Sequence, residues 1–261
     1  MISRLTTSLP YLIIPCLILG FASEGIAKKK KKRRGGGKYP LKVNARPLVL
    51  PKGMGEANAA LGLTSFTVGK KSTNAIGLTG GFNYGVSKGI EVGGATGFNL
   101  SPEAGWGSSF NLRGGYRVIK RKKRGLNIAA RLEVPLSFGE DQDLLSNASA
   151  GMSTRYRINK KLALHSGDNL LSFTFGEEVT TRINVPIGVA YQVNRRLNVR
   201  FDTQIISLGS GGTLSVDKSL PIFLRGIYAI KRVMDVGVSL SADPVSEGPL
   251  SISALFAYRV R

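Results

Sequence analysis

Three runs in this chain alternate apolar with other residues for longer than an ordinary sheet requires. Leu126-x-Ile128-x-Ala130-x-Leu132-x-Val134-x-Leu136-x-Phe138 keeps a strict period of two. So do Ile183-x-Val185-x-Ile187-x-Val189-x-Tyr191-x-Val193 and Leu250-x-Ile252-x-Ala254-x-Phe256-x-Tyr258-x-Val260. Successive side chains of a strand point to opposite faces, so each run specifies a strand with one apolar face. The runs span 11 to 13 residues. That exceeds the ~5–6 of common strands and suits the ~9–11 of a strand tilted across a bilayer. No stretch offers about 18 consecutive apolar residues, so a helical span is not expected.

A second pattern organises the strands. Beyond residue 27, Tyr-x-[Val/Ile] occurs six times, at Tyr84, Tyr116, Tyr156, Tyr191, Tyr228 and Tyr258, spaced by 32, 40, 35, 37 and 30 residues. Five copies run directly into a short basic turn, as in Asn159-Lys160-Lys161-Leu162 and Asn194-Arg195-Arg196-Leu197. A repeat of this period points to an array of similar units, here β-hairpins with Tyr at the same end of every second strand. The expected fold is all-β, an antiparallel up-and-down transmembrane β-barrel of about 12 strands. The approximate strand limits are 56–68, 74–87, 89–100, 108–119, 125–138, 147–158, 161–174, 180–193, 196–207, 215–230, 233–242 and 249–260. The first, seventh and tenth are the weakest, and His165-Ser166-Gly167-Asp168-Asn169 breaks the alternation as a bulge does.

The N-terminus divides the rest of the chain. Residues 1–27 read as a signal peptide, with Arg4 ahead of an apolar Leu9 to Phe21 and a small-x-small cleavage site at Gly25-Ile26-Ala27. The only cysteine, Cys16, leaves with it, so no internal disulfide is expected. Residues 28–55 form a basic, Gly/Pro-rich periplasmic tail and lead-in, with Lys28 to Arg34 followed by Pro40, Pro47 and Pro51. Residues 56–261 form the barrel. Much of the formal net charge of +21 sits in the tail and in the Tyr-end turns. No recognition helix accompanies it, so nucleic acid is not expected as a partner.

The two ends and the two faces differ. The Tyr-end turns are short and basic, whereas the opposite loops are longer and carry Glu103, Glu140, Asp141, Asp143, Glu177, Glu178, Asp243 and Glu247. Short turns at one end and long loops at the other are the pattern of outer-membrane barrels, with the short turns periplasmic. If the Tyr face meets lipid, it forms an interface girdle of Tyr84, Tyr116, Tyr156, Tyr191, Tyr228 and Tyr258. The other face then holds Arg113, Arg117, Arg131, Arg155, Arg157, Arg182, Arg200, Arg225 and Arg259, with Glu133 and Asp202. An arginine facing the bilayer midplane costs about 2–4 kcal/mol, so this face must be the lumen.

On these residues the whole mature chain resembles Gram-negative outer-membrane β-barrels. The last strand, Leu250 to Val260, is similar to the C-terminal signal recognised by their assembly machinery, although the chain ends in Val260-Arg261. Arg46-Pro47-Leu48-Val49-Leu50-Pro51-Lys52-Gly53 resembles the lead-in of some barrels of this kind. The arginine-rich lumen resembles channels for acidic sugars and oligogalacturonates in architecture. The resemblance implies outer-membrane lipid and the barrel-assembly machinery as partners.

The expected function is a porin-like passive channel for small anionic solutes. Arg113, Arg131, Arg155, Arg182, Arg200 and Arg225 set its field, since a ring of basic side chains biases a pore toward anions. Those arginines could instead be structural, paired with Glu133 and Asp202. The alternative is a non-conducting barrel whose Lys28–Arg34 segment touches cell-wall polymer. A barrel lipid hydrolase or acyltransferase built on His165, Ser166, Asp168 and Asn169 has the right residue types. Consecutive residues of a strand nevertheless point apart, which separates His165 from Ser166. With one histidine and no mature cysteine, neither a metal site nor a cofactor is implied.

Overall fold

The computed structural model describes residues 39–68, 71–121, 125–138, 147–166, 171–174, 180–210, 214–216, 220–245 and 248–261. The strands are β1 (Gly55–Val68), β2 (Lys71–Ser87), β3 (Ile90–Ser101), β4 (Gly105–Arg121), β5 (Leu126–Ser137) and β6 (Asn147–Arg157). They continue with β7, in two segments (Leu162–His165 and Leu171–Thr174), β8 (Thr180–Gln192) and β9 (Leu197–Ser210). Last come β10, also in two segments (Leu214–Val216 and Ile222–Lys231), β11 (Met234–Ala242) and β12 (Leu250–Val260). Each limit lies within three residues of the one expected from alternation. The expected signal peptide (residues 1–27) and residues 28–38 lie outside the described residues.

Each strand pairs antiparallel with the next, and β12 pairs back onto β1 from Gly55 opposite Val260 to Ser65 opposite Leu250. The sheet is therefore a closed twelve-stranded barrel with no free edge, which closure alone achieves. Its two faces follow the pleat. On β12, Leu250, Ile252, Phe256 and Tyr258 stand exposed on the outside while Arg259 is buried inside. An outward band of Leu, Ile, Val, Phe and Tyr around the whole wall is stable only when lipid covers it.

Of the three strands expected to be weakest, β7 and β10 are each described in two segments, whereas β1 runs unbroken from Gly55 to Val68. On β7, Leu164 lies opposite Tyr156 and Leu171 opposite Ala150, so seven steps along β7 match six along β6. The same single excess recurs against β8, from Leu164–Val189 to Leu171–Ile183. One inserted residue shifts register between His165 and Leu171, as a bulge does.

The Tyr repeat is also a repeat of hydrogen bonding. In all six copies the residue after Tyr donates its backbone N–H to the start or turn of the preceding unit. The bonds run from Gly85 to Met54, Arg117 to Gly89, Arg157 to Gly125, Gln192 to Lys161, Ala229 to Arg196 and Arg259 to Val233, at 2.7–3.2 Å. In three copies the next residue, Val86, Val118 or Ile230, is skipped in the pairing register. Two of the turns share one device. Asn159 Oδ1 accepts from the Lys161 and Leu162 amides, and Asn194 Oδ1 accepts from the Arg196 and Leu197 amides, at 2.8–2.9 Å. This explains the recurring Asn-basic-basic-Leu string, because Asn readily bonds its own backbone two residues on.

Candidate functional site

Tyr39–Met54 does not lie along the outside of the barrel. It threads into the lumen at the Tyr end, in an irregular path with a 3₁₀ turn at Val43–Ala45 and a turn at Pro51–Met54 closed by the Met54 N–H on the Pro51 carbonyl. Val49, Leu50 and Met54 are buried there. Irregular backbone at this depth is tolerated only where protein or trapped water satisfies its polar groups. Pro40, Pro47 and Pro51 help by removing N–H groups that would need partners.

The wall supplies the remaining partners. Asn44 is held on β8 and β9: its side-chain amide donates to the Lys161 and Ala190 carbonyls at 2.9 and 3.3 Å. Its backbone N–H donates to Gln192 Oε1, and its Oδ1 accepts from Asn198 Nδ2. Gln192 and Asn198 are among the largest fully buried side chains, although both are polar. Farther along, Arg155 donates to the Arg46 carbonyl at 2.8 Å, Arg131 donates to the Leu48 carbonyl, and the Leu50 amide donates to Glu91 Oε2 at 2.6 Å. Gly53 and Met54 exchange backbone bonds with Gly85 at 2.7 and 2.9 Å. A Cβ on Gly85 would collide with the Pro51 carbonyl, so glycine is required at this approach.

An alternating ion chain fastens the plug to the strand seam. Arg46 grips Asp235 with both guanidinium nitrogens, one bond being 2.8 Å. Asp235 also meets Arg259 Nη2 at 2.8 Å, and Arg259 Nε meets Glu56 at 2.5 Å. Glu56 and Arg259 are direct cross-strand partners where β1 and β12 close the barrel. The Tyr39 ring lies over both cations, 5.4 Å from Arg46 Cζ and 5.0 Å from Arg259 Cζ. Burial raises the Tyr39 phenol above the ordinary tyrosine pKa, with Arg259 pulling the other way, so it stays neutral in place.

The structure divides the expected arginine ring. Arg131 and Arg155 hold the plug, and Arg131 also pairs with Glu91. Arg113, the most exposed of those whose side chains are described, pairs with Glu133 at 3.2 Å. Arg200 pairs with Asp202 and sits directly opposite Arg225 on the neighbouring strand. Arg182 lies on β8, and its side chain is outside the described residues. Two cavities remain beside the plug. One of about 340 Å³ is lined by Leu48, Glu91, Arg113, Arg131 and Glu133. The other, of about 360 Å³, is lined by Arg46, Arg155, Arg225, Asp235 and Arg259.

The six girdle tyrosines all face outward, each between 40% and 58% exposed. His165 is buried in the lumen, with Nδ1 3.2 Å from Asp202. Ser166 turns the other way, donating to the Met152 carbonyl at 2.7 Å and accepting from the Thr154 amide. The two side chains are thus committed to opposite faces, while Asp168 and Asn169 lie outside the described residues.

Sequence reading did not identify Tyr39, Arg46, Glu56, Glu91 or Asp235 as functional. A signal was present: three acids sit at inward positions near the Tyr end, and the residues before β1 carry an arginine set among prolines. Pairing them requires knowing that the lead-in turns inward, which strand periodicity does not encode.

Comparison with solved structures gives the same architecture. An outer membrane channel from Pseudomonas putida F1 is similar with a TM-score of 0.54 at 11% identity, covering 87% of this chain and all of that one. The chain folds as an outer-membrane β-barrel. The KdgM porin in complex with disordered oligogalacturonate is similar with a TM-score of 0.53 at 7% identity, covering 78% of this chain and 98% of the porin. No family model and no curated protein matches the chain.

Proposed function

We propose that this barrel is a porin-like channel for small anionic solutes, narrowed at its Tyr end by Tyr39–Met54. The observation that carries the reading is the balance of charge on the lumen surface. Arg46, Arg113, Arg131, Arg155, Arg200, Arg225 and Arg259 stand there against Glu56, Glu91, Glu133, Asp202 and Asp235. Arg131, Arg155 and Arg259 engage the plug, to which Arg46 itself belongs, while Arg113 and Arg200 pair with acids of the wall; with Arg225 these two set the field a solute meets. A barrel of similar fold has been seen in complex with disordered oligogalacturonate, an acidic sugar chain, which is in keeping with this field. An even number of strands puts both ends of the barrel sheet, Gly55 and Val260, at the Tyr end, so the plug would be inserted from the periplasm.

The test is the reversal potential in a planar bilayer under a salt gradient. The full-length mature chain should reverse on the anion side, and Arg113→Ser/Arg200→Ser/Arg225→Ser should move it toward the cation side. Selectivity unaltered by the triple substitution would contradict the assignment. Arg113 and Arg200 pair with Glu133 and Asp202 of the wall, so the double variant Arg113→Ser/Arg200→Ser, with Arg225 left in place, addresses the field and not the gate.

A further inference from the structure

His165 is the only histidine of the chain. It is buried against the lumen wall, and neither ring nitrogen makes a hydrogen bond within the protein. The adjacent amide, that of Ser166, is given to the Thr154 carbonyl at 3.2 Å. Buried polar side chains are nearly always hydrogen-bonded, so this exception calls for a physical reason. His165 lies directly opposite Arg155 of β6 and Gly188 of β8, and Gly188 lies opposite Asp202 of β9. His165 and Asp202 are thus two strands apart, yet Nδ1 comes within 3.2 Å of Asp202 Oδ1. They meet across the glycine: a Cβ on residue 188 would strike both Asp202 Oδ1 and His165 Cε1. The space above Gly188 is reserved for this contact.

The charges around the imidazole come from both sides. β6 presents Arg155, β9 presents Asp202 and Arg200, and β8 presents Gly188 at this level. Beyond them stand Arg225 of β10, opposite Arg200, and the plug, which brings Tyr39 and Arg46 toward Arg155. Asp202 is the acid of this group, and it is already engaged: Arg200 Nε lies 2.9 and 2.6 Å from its two oxygens. A neutral imidazole has one donor and one acceptor, whereas the imidazolium has two donors. Histidine is also the side chain whose ordinary titration falls between about pH 5 and 8. A proton on His165 turns its close approach to Asp202 into an ion pair and sets a second cation on one carboxylate. Two arginines against one aspartate give this cluster a formal +1, and the proton makes it +2.

We propose that His165 is a specificity-determining proton site: taking one proton from water in the lumen, it donates to Asp202, weakens that carboxylate's hold on Arg200 and raises the lumen's preference for anions. Only the proton and its hydrogen bonds change hands. Gly188 and Asp202 act as positioning residues, the one by leaving room and the other by receiving the imidazolium N–H. The effect on selectivity rests on the channel reading above, whereas the proton equilibrium between His165 and Asp202 does not. A unit charge ~7 Å from an ion in water-like surroundings changes the local ion concentration by about threefold. Acid should therefore raise the anion-to-cation permeability ratio by about that factor through His165.

Two measurements test this. In untagged residues 28–261 refolded into detergent micelles, the imidazole signals of a proton–carbon NMR spectrum report His165 alone. They should titrate, and the midpoint should fall by about one pH unit or more in Asp202→Asn, the usual effect of losing an opposite charge at this range. In a planar bilayer, the permeability ratio should be followed from pH ~8, above the ordinary histidine range, down to where those signals show the imidazole protonated. The ratio of the wild type should rise about threefold more than that of His165→Gln. The lumen carboxylates titrate in both chains, so the difference isolates the imidazole. Heat-modifiable gel mobility verifies the folding of each variant. An imidazole that stays unprotonated until the barrel unfolds would overturn the proposal. So would equal midpoints in wild type and Asp202→Asn, or equal pH responses of selectivity in wild type and His165→Gln. A titration coupled to Asp202 in a chain that passes no current would uphold the proton site and contradict the channel reading instead.

Discussion

At the residue scale the plug rests on a few side chains whose loss has defined consequences. Asp235 is the acid shared by Arg46 and Arg259, and all three are nearly devoid of solvent. Removing one partner of a buried pair costs about 3–5 kcal/mol, because the remaining charge is stranded. Arg259 keeps Glu56, so Arg46 bears most of that cost, and the plug should loosen while the wall survives. The check is maleimide labelling of a Val49→Cys reporter, buried in the native chain. Labelling should accelerate strongly when Asp235→Ala is added. Gly85→Ala should act similarly through the backbone, by pushing the Pro51 carbonyl away. Tyr39 makes docking sensitive to alkali. Its docked pKa is raised above that of a free tyrosine, near 10. The neutral phenol therefore contributes its stability in full below pH ~10, and that contribution fades as pH rises from there through the docked value. Val49→Cys should label faster in that alkaline window, and Tyr39→Phe should reduce the acceleration.

At the element scale the repeated hairpin was legible because its parts are local. The Tyr at one strand end, the basic turn and the long alternation each leave a mark within a dozen residues, and the strands appear where those marks predict them. The bond from the residue after Tyr to the preceding unit was not legible, since a backbone donor carries no residue signature. The sequence did mark the Asn turns. Asn159→Ala and Asn194→Ala each remove an oxygen that accepts two backbone amides. Each should cost about 1 kcal/mol, given the usual net worth of such bonds. A modest fall in the urea midpoint for refolding into detergent micelles should follow, larger for the pair, with the conductance of folded barrels unaltered. The two split strands mark the limit of pattern reading. His165 to Asn169 announced a break in β7, and the register moves by one residue across it. Periodicity reports where alternation fails, but not which chain segment fills the space inside.

At the scale of the molecule, alternation dictates closure. A sheet with an apolar outer face and an arginine-bearing inner face cannot lie flat in lipid without exposing an edge or charged groups. The barrel follows, and a lumen of this charge would be costly if filled only with unpaired guanidinium groups. The chain answers by folding its own lead-in inward: Tyr39–Met54 satisfies Arg131, Arg155, Glu91 and Asp235 at the end where β1 meets β12. Reading the sequence strand by strand reached the wall and its charge. It could not reach the plug, because proline-rich segments have no periodicity to follow and their partners lie far along the chain, Asp235 being 189 residues from Arg46 and Arg232 being 193 from Tyr39.

Single-channel current in a planar bilayer tests most directly whether that plug controls an anion-conducting lumen. Residues 28–261 should pass small steps, and the same chain with Asp235→Ala should pass steps several-fold larger, both reversing on the anion side of a salt gradient. Full-sized steps from the unaltered chain, or larger steps that favour cations once Asp235 is replaced, would contradict it.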